Sequence, residues 1–143
     1  VREATSRHFI VRSARIYGPG GKNMPSRLPE FANQETISVV TDLVGSPTYA
    51  PDLADAISLL ASSERFGTYH VVNDGTCTIA EFCEEAVRLL GSSVQIRHVL
   101  IDDLGLPARR PKDTRLLPDA WTAAGFEPLR HWRDAASAFL ADV

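Results

Sequence analysis

Short apolar runs alternate with amphipathic stretches along the chain. The apolar runs at 9–17, 36–40, 68–72 and 94–99 predict four strands. The first run shows little polar alternation, as expected of a strand covered on both faces. Between and after these runs, apolar residues recur at helical spacing. Strands in alternation with helices predict an α/β fold.

Two helices carry clear start and end signals. Pro51 at a first helical position begins a helix that ends before Gly67. Thr78 and Glu81 form a predicted capping box for a second helix, which ends at Gly91. The expected apolar stripes are Leu53, Ile57, Leu60 and Ala61 in the first helix, and Ile79, Phe82, Cys83, Ala86, Val87 and Leu90 in the second.

Three further helices are expected. One begins near Pro25 or Ser26 within residues 24–33, because proline is tolerated in the first helical turn. A second spans Asp119–Ala124 and is ended by Gly125. The third closes the chain, and its predicted apolar stripe is Trp132, Ala136, Phe139 and Leu140.

Composition and charge narrow the class of protein. With 143 residues and a net charge of −3, the chain has the size of one domain and no basic field to attract nucleic acid. No apolar run approaches the roughly 18 residues that span a bilayer, and we predict a cytoplasmic protein. Cys77 and Cys83 are expected to be buried, inert thiols, and the four histidines lack metal-ligand spacing, so no metal site is predicted.

The stretch "YGPGGKNM", residues 17–24, has the composition of a phosphate-binding loop but not the spacing. It matches neither the Walker motif nor the dinucleotide-binding glycine fingerprint. Two interpretations remain: an ordinary strand-to-helix turn, or a turn in which Asn23 caps the following helix and exposed backbone donors receive an anion. The chain begins with "VREATSRHF", which resembles the end of a helix, so we expect a fragment of a longer protein.

Four segments resemble one known family in order and spacing: "VRSARIYGPGGKN", "VGSPTYAPDLADAI", "GTYHVVNDGTCTIAEFCEEAVRLLG" and "RRPKDTRLLPDAWTAAGFEPLRHWRDAASAFL". They are similar to the carboxy-terminal half of the dTDP-4-dehydrorhamnose reductases, which are extended short-chain dehydrogenases/reductases. "GSPTYAPDLA" is the most specific segment. The resemblance implies that residues 1–143 form the end of a Rossmann sheet plus a small α/β substrate-binding domain, with the dinucleotide-binding half outside this sequence.

The resemblance implies a function for the whole protein. Such a reductase takes a hydride from NADP(H) or NAD(H) and passes it to the C4 ketone of dTDP-4-dehydrorhamnose, giving dTDP-L-rhamnose. Its acid is the tyrosine of a Tyr-x-x-x-Lys pair, which Tyr17, Tyr49 and Tyr69 do not form here. We therefore expect no catalytic residue and no tight cofactor binding in this chain. The expected partner is a nucleotide sugar, not nucleic acid or a membrane, and a homodimer is left open.

The resemblance also suggests substrate-binding residues. Asn23 and Arg110, the latter in "RPKD", occupy positions that approach the phosphates in the family, and a guanidinium fork matches phosphate oxygens. Lys22 is a weaker candidate, because a lysine beside a turn is usually solvated. Ser46 and Thr48 lie in the family's substrate loop, although such residues beside proline also stabilise turns.

Two positions depart from the family pattern. Arg15 stands where a tryptophan near the sugar is common, and Leu43 stands where glutamine is common. A cation in place of an aromatic face removes a stacking surface and adds charge, so Arg15 is a candidate for binding a different sugar. Three hypotheses remain: a sugar-nucleotide reductase, an epimerase or dehydratase of the same superfamily, and a non-catalytic regulatory relative.

Overall fold

The computed structural model describes residues 3–20, 27–31 and 33–141. In chain order the elements are β1 (Phe9–Arg12), β2 (Ile16–Tyr17), α1 (Leu28–Phe31), β3 (Thr36–Val40), β4 (Val44–Gly45), β5 (Thr48–Tyr49), α2 (Ala50–Ala61), β6 (Gly67–His70), β7 (Asn73–Asp74), β8 (Cys77–Thr78), α3 (Ile79–Leu90), β9 (Gln95–Val99), a 3₁₀ turn (Ile101–Leu104), β10 (Asp113–Thr114), α4 (Asp119–Ala123), β11 (Leu129–His131) and α5 (Trp132–Ala141).

Most of the strand pairs are parallel. β1 pairs with β6, β2 with β5, β3 with β9, and β7 with β11, each in parallel. β4 lies between two partners, pairing in parallel with β10 and antiparallel with β8. Parallel pairing requires crossover connections, and here helices provide several of them, including α2 between β5 and β6 and α3 between β8 and β9.

The predicted strand at 9–17 is wrong in its centre. The strand β1 ends at Arg12 and β2 begins at Ile16. Arg15 lies between them with φ 45°, in the left-handed region that non-glycine residues seldom adopt. This change of direction allows β1 to pair with β6 while β2 pairs with β5.

The prediction of a helix starting at Pro51 is confirmed, since α2 begins at Ala50 and carries proline in its first turn. Its buried residues are Leu53, Ala56 and Leu60. Ile57, predicted to face the core, is 42% exposed. The buried residues are spaced i, i+3 and i+7, and Ile57 lies at the edge of the face that they form. The prediction that Ile57 faces the core is therefore wrong.

The helix α3 has both predicted caps. The Thr78 hydroxyl accepts a hydrogen bond from the Glu81 N–H at 3.0 Å, and the Glu81 carboxylate accepts one from the Thr78 N–H at 2.7 Å. Gly91 ends the helix with φ 60°. The predicted helix within 24–33 is represented by α1, and the remainder of that prediction lies outside the described residues.

Two apolar clusters form the core. One contains Tyr17, Phe82, Trp132 and Phe139 and joins α3 and α5 to β3. The other packs α2 and α4 against β1 and β6, around Leu60, Tyr69, Trp121 and Phe126. The two cysteines are buried as predicted, and burial raises the pKa of Cys77 and of Cys83 to about 12.

Candidate functional site

The strands β8, β4 and β10 bring distant parts of the chain together. Gly45 of β4 is opposite Cys77 of β8 on one side and Thr114 of β10 on the other. Arg15 lies directly over Gly45: a Cβ placed on this glycine would lie 2.7 Å from the Arg15 Cζ atom and 2.8 Å from the Thr114 Oγ1 atom. A side chain at position 45 would therefore push the Arg15 guanidinium or the Thr114 hydroxyl from this position.

Arg15 is half-buried and has few partners. Its Nη1 donates one hydrogen bond, 3.4 Å long, to the Cys77 carbonyl. Its own carbonyl accepts a bond of 3.3 Å from the Thr48 N–H, which ties the left-handed residue to β5. Desolvation lowers the pKa of the guanidinium from its usual value, although a group of such high pKa remains charged.

Ser46 and Thr48 are fully buried. The Ser46 hydroxyl accepts a hydrogen bond from the Leu116 N–H at 3.1 Å and donates to the Leu116 carbonyl at 3.4 Å. The Thr48 hydroxyl donates to the Ser46 carbonyl at 3.4 Å. The Ser46 hydroxyl therefore joins this loop to the 114–117 segment, whereas the Thr48 hydroxyl bonds within the loop. Direct substrate contact by either residue stays a prediction.

Arg110 is exposed on the loop between the 3₁₀ turn and β10. The loop encloses a depression of about 280 Å³, lined by Ile101, Asp102, Gly105, Leu106, Pro107, Ala108, Arg109 and Arg110. Such a concave and basic surface can receive a phosphate group.

Asp42 closes the base of this loop. One carboxylate oxygen accepts a hydrogen bond of 2.9 Å from the Ile101 N–H, and the other lies 2.7 Å from Lys112 Nζ. Lys112 also pairs with Asp102 at 3.0 Å. Asp42 thus joins both ends of the loop that carries Arg110, and hydrogen bonding from Lys112 lowers the pKa of this carboxyl.

The predicted residues are only partly brought together. Arg15, Ser46 and Thr48 lie in direct contact through β4 and β5, whereas Arg110 lies on the loop that leads into β10. Lys22 and Asn23 lie outside the described residues. Sequence analysis missed Asp42 and Gly45, since the separation of Arg15 from Gly45 in sequence gave no signal that the arginine covers this glycine.

A second polar cluster centres on Asn73, which is 1% exposed. Its carbonyl oxygen accepts a hydrogen bond from the Tyr49 N–H at 2.8 Å, and its amide donates to Asp52 at 2.6 Å and to the Arg130 carbonyl at 3.1 Å. Asp52 in turn forms a two-point ion pair with the Arg130 guanidinium. Sequence analysis missed this cluster because Asn73 precedes Asp and Gly, a pattern typical of a turn.

An apolar groove of about 380 Å³ lies along β3. It is lined by Phe31, Gln34, Thr36, Ile37, Ser38, Val39, Val40, Ile79 and Cys83. An aromatic ring, aliphatic side chains and a few polar groups are the usual lining of a small-molecule site. Sequence analysis did not predict it, because the lining joins α1 and β3 to α3, which is distant from them in the chain.

The three tyrosine side chains of this chain are all buried. Tyr17, Tyr49 and Tyr69 are 1%, 4% and 6% exposed. Burial raises the pKa of Tyr17 well above its usual value, and a phenol that releases its proton less readily is a weaker acid.

Within the described ranges, no group of three or more His, Cys, Asp or Glu side chains is arranged to hold a metal ion. A helix with the length and apolar character needed to cross a membrane does not occur in that same part of the chain.

The chain belongs to the RmlD substrate binding domain family, whose sequence profile matches residues 1–143. It is 40% identical over 134 residues to a dTDP-4-dehydrorhamnose reductase of Streptomyces griseus, covering 89% of this chain and 44% of that protein. It is 35% identical over 143 residues to the spore coat polysaccharide biosynthesis protein SpsK of Bacillus subtilis, covering 99% of this chain and 50% of the relative. The chain thus spans about half the length of these relatives.

Solved structures show the same fold. The dTDP-4-dehydrorhamnose reductase of Bacillus anthracis, solved in complex with NADP, superposes with a TM-score of 0.93 at 31% identity, covering 99% of this chain and 51% of that chain. A dTDP-glucose 4,6-dehydratase of the same species superposes with a TM-score of 0.73 at 16% identity, over 93% of this chain and 43% of the other, which shows the fold alone. The predicted fold class, the carboxy-terminal part of an extended short-chain dehydrogenase/reductase, is confirmed.

Proposed function

We propose that this chain is the nucleotide-sugar-binding part of an NADPH-dependent reductase of dTDP-4-dehydrorhamnose, and that it does not catalyse by itself. The observation that carries the proposal is the match of all 143 residues to a substrate-binding domain found in dTDP-4-dehydrorhamnose reductases. Hydride transfer then depends on a dinucleotide-binding part contributed by the remainder of the protein.

Arg110 is proposed to bind the diphosphate of the nucleotide sugar. Its loop is basic and concave, and Asp42 and Lys112 fix both ends of the loop, so less side-chain and backbone freedom is lost on binding. Lys22 and Asn23, at the end of the glycine-rich stretch, are proposed to approach the same phosphates. Ser46 and Thr48 support this surface from below through their hydrogen bonds to Leu116 and to each other.

The groove along β3 is proposed to receive the nucleobase. A planar ring gains from apolar burial against Phe31 and Ile79, while the polar groups of Gln34 and Thr36 can satisfy the hydrogen-bonding edge of the base. The cofactor is proposed to be NADP(H), as in the Bacillus anthracis relative. A cytoplasmic location and a homodimer remain predictions for the whole protein.

The test is calorimetric titration of the full-length protein with dTDP, dTDP-rhamnose, UDP-glucose and GDP-mannose. We expect the dTDP ligands to bind more tightly than the other two. The variant Arg110→Gln should weaken dTDP binding roughly tenfold, the effect of losing a charge-assisted hydrogen bond to phosphate.

The matched control is Arg109→Gln, which makes the same change of charge on the same exposed loop. It should weaken binding much less than Arg110→Gln if a specific guanidinium contact is involved. Equal losses in the two variants would reduce the assignment to a general basic surface. Unchanged dTDP affinity in Arg110→Gln would show that the diphosphate assignment is wrong.

A further inference from the structure

The guanidinium of Arg15 lacks a counterion. Among the described residues, no Asp or Glu carboxylate lies within 4.0 Å of it, whereas other arginines such as Arg130 and Arg88 are paired with carboxylates. Of the chain's segments outside the described ranges, only Asp142 carries an acidic side chain. A half-buried cation with one long hydrogen bond has most of its five donors available.

The backbone holds Arg15 in a costly conformation. Arg15 is the non-glycine residue with positive φ in the described part of the chain, and its carbonyl is fixed by the Thr48 N–H. Below it, a side chain at position 45 would displace the Arg15 guanidinium or the Thr114 hydroxyl. Residues kept in unfavourable backbone conformations by their surroundings cluster at functional sites.

The location of Arg15 agrees with a ligand site. It follows the carboxyl end of β1, which is parallel to β6, and ligands of open α/β sheets bind outside the carboxyl ends of the strands. The loop of Arg110 leads directly into β10. In β10, Thr114 lies beside the Arg15 guanidinium. The two arginines therefore flank the same stretch of chain, residues 111–114.

We infer that Arg15 binds an anionic oxygen group of the nucleotide sugar through its guanidinium. The inference rests on the part of the proposed function that assigns a nucleotide-sugar ligand to this chain. The anionic group has two sources in a nucleotide sugar: the diphosphate, or a carboxylate on the sugar. Both offer the planar or tetrahedral oxygens that a guanidinium fork binds through paired hydrogen bonds.

The test is titration of the full-length protein and of Arg15→Gln with thymidine, dTDP, dTDP-glucose and dTDP-glucuronate. If Arg15 binds the diphosphate, Arg15→Gln weakens dTDP and both sugar nucleotides by about tenfold and leaves thymidine unchanged. If Arg15 binds a sugar carboxylate, the loss of about tenfold is confined to dTDP-glucuronate. Either pattern supports the inference.

Two further variants test whether a loss of affinity comes from misfolding or from the missing guanidinium contact. Arg15→Lys keeps the charge without the fork and should recover part of the affinity. Gly45→Ala keeps Arg15 but places a Cβ against its guanidinium, so it should weaken the same ligands as Arg15→Gln. The control Arg12→Gln removes an exposed charge nearby and should leave all affinities within about twofold.

The results separate the two proposals. If Arg15→Gln and Gly45→Ala bind all four ligands within about twofold of the unmodified protein while Arg110→Gln loses dTDP affinity, this inference is overturned and the proposed function stands. If the unmodified protein binds none of the nucleotides, the proposed function fails and the inference falls with it.

Discussion

At the scale of single residues, Tyr17 presents a buried hydroxyl without a hydrogen-bond partner in the described structure. Its ring is nevertheless well packed, with edge contacts to Phe82 and Phe139. A buried polar atom without a partner costs free energy, whereas the apolar ring contributes fully to stability. We therefore predict that Tyr17→Phe leaves the free energy of unfolding unchanged or raises it by up to about 1 kcal/mol.

The matched control is Tyr69→Phe. The Tyr69 hydroxyl donates a hydrogen bond of 2.7 Å to the Arg65 carbonyl, and its ring is equally well packed. Loss of the Tyr69 hydroxyl should lower the free energy of unfolding by about 0.5–1.5 kcal/mol. Urea unfolding of both variants measures the difference. A larger loss in Tyr17→Phe than in Tyr69→Phe would show that the Tyr17 hydroxyl has a partner after all.

Asp113 gives a second residue-scale prediction. Hydrogen bonds from Arg115 lower the pKa of its carboxyl from 3.8 to about 2. Since the folded pKa lies below the unfolded one, the contact stabilises the fold above about pH 4. That contribution is lost as the pH falls towards about 2.

An NMR titration of the Asp113 carboxyl carbon tests this prediction. The midpoint should lie near 2 in the unmodified protein and should return towards 3.8 in Arg115→Gln. A midpoint near the ordinary value before substitution would mean that the contact with Arg115 is not kept in solution.

Single residues also show the limit of sequence analysis. The buried state of Cys77 and Cys83 could be predicted because both accompany an amphipathic helix with clear caps. The burial of Ser46 could not, because its hydrogen-bond partner, Leu116, is 70 positions away in the chain. Contacts at such separations leave no periodic signal in the sequence.

At the scale of elements, Asn73 joins three parts of the fold. Its side chain links β5 through the Tyr49 N–H, α2 through Asp52, and β11 through the Arg130 carbonyl. Replacing it with alanine removes this partner from the N–H of buried Tyr49, from the carboxylate of half-buried Asp52 and from the Arg130 carbonyl. We predict that Asn73→Ala lowers the free energy of unfolding by about 2–4 kcal/mol.

Thermal and urea unfolding measure this loss, and Asp74→Ala is the control, since Asp74 is the exposed neighbour on the same strand. The control should change stability by less than about 0.5 kcal/mol. Similar losses in the two variants would contradict the account of Asn73 as the link between these elements.

Long elements with caps could be predicted from the sequence, while the shortest could not. The helix α3 was expected from its capping box and terminal glycine, and β3 from its apolar run. The strands β4, β5, β7, β8 and β10 have two residues each. Two residues have no period, so their pairing depends on tertiary contacts rather than on local pattern.

At the scale of the whole molecule, the two apolar clusters support different surfaces. The cluster around Tyr17 and Trp132 lies behind the groove of β3, whereas the cluster around Tyr69 and Trp121 packs beneath β1 and β6. The groove of β3, proposed to receive the nucleobase, thus stands on a packed core. Such support reduces the ordering cost of ligand binding.

The most direct test of the central claim is the reductase reaction of the full-length protein, followed by loss of NADPH absorbance with dTDP-4-dehydrorhamnose. We predict NADPH oxidation that depends on the sugar nucleotide, with dTDP-rhamnose as product, and none from residues 1–143 alone. Absence of NADPH oxidation by a folded full-length protein that binds both ligands would contradict the account and favour an epimerase, a dehydratase or a regulatory protein.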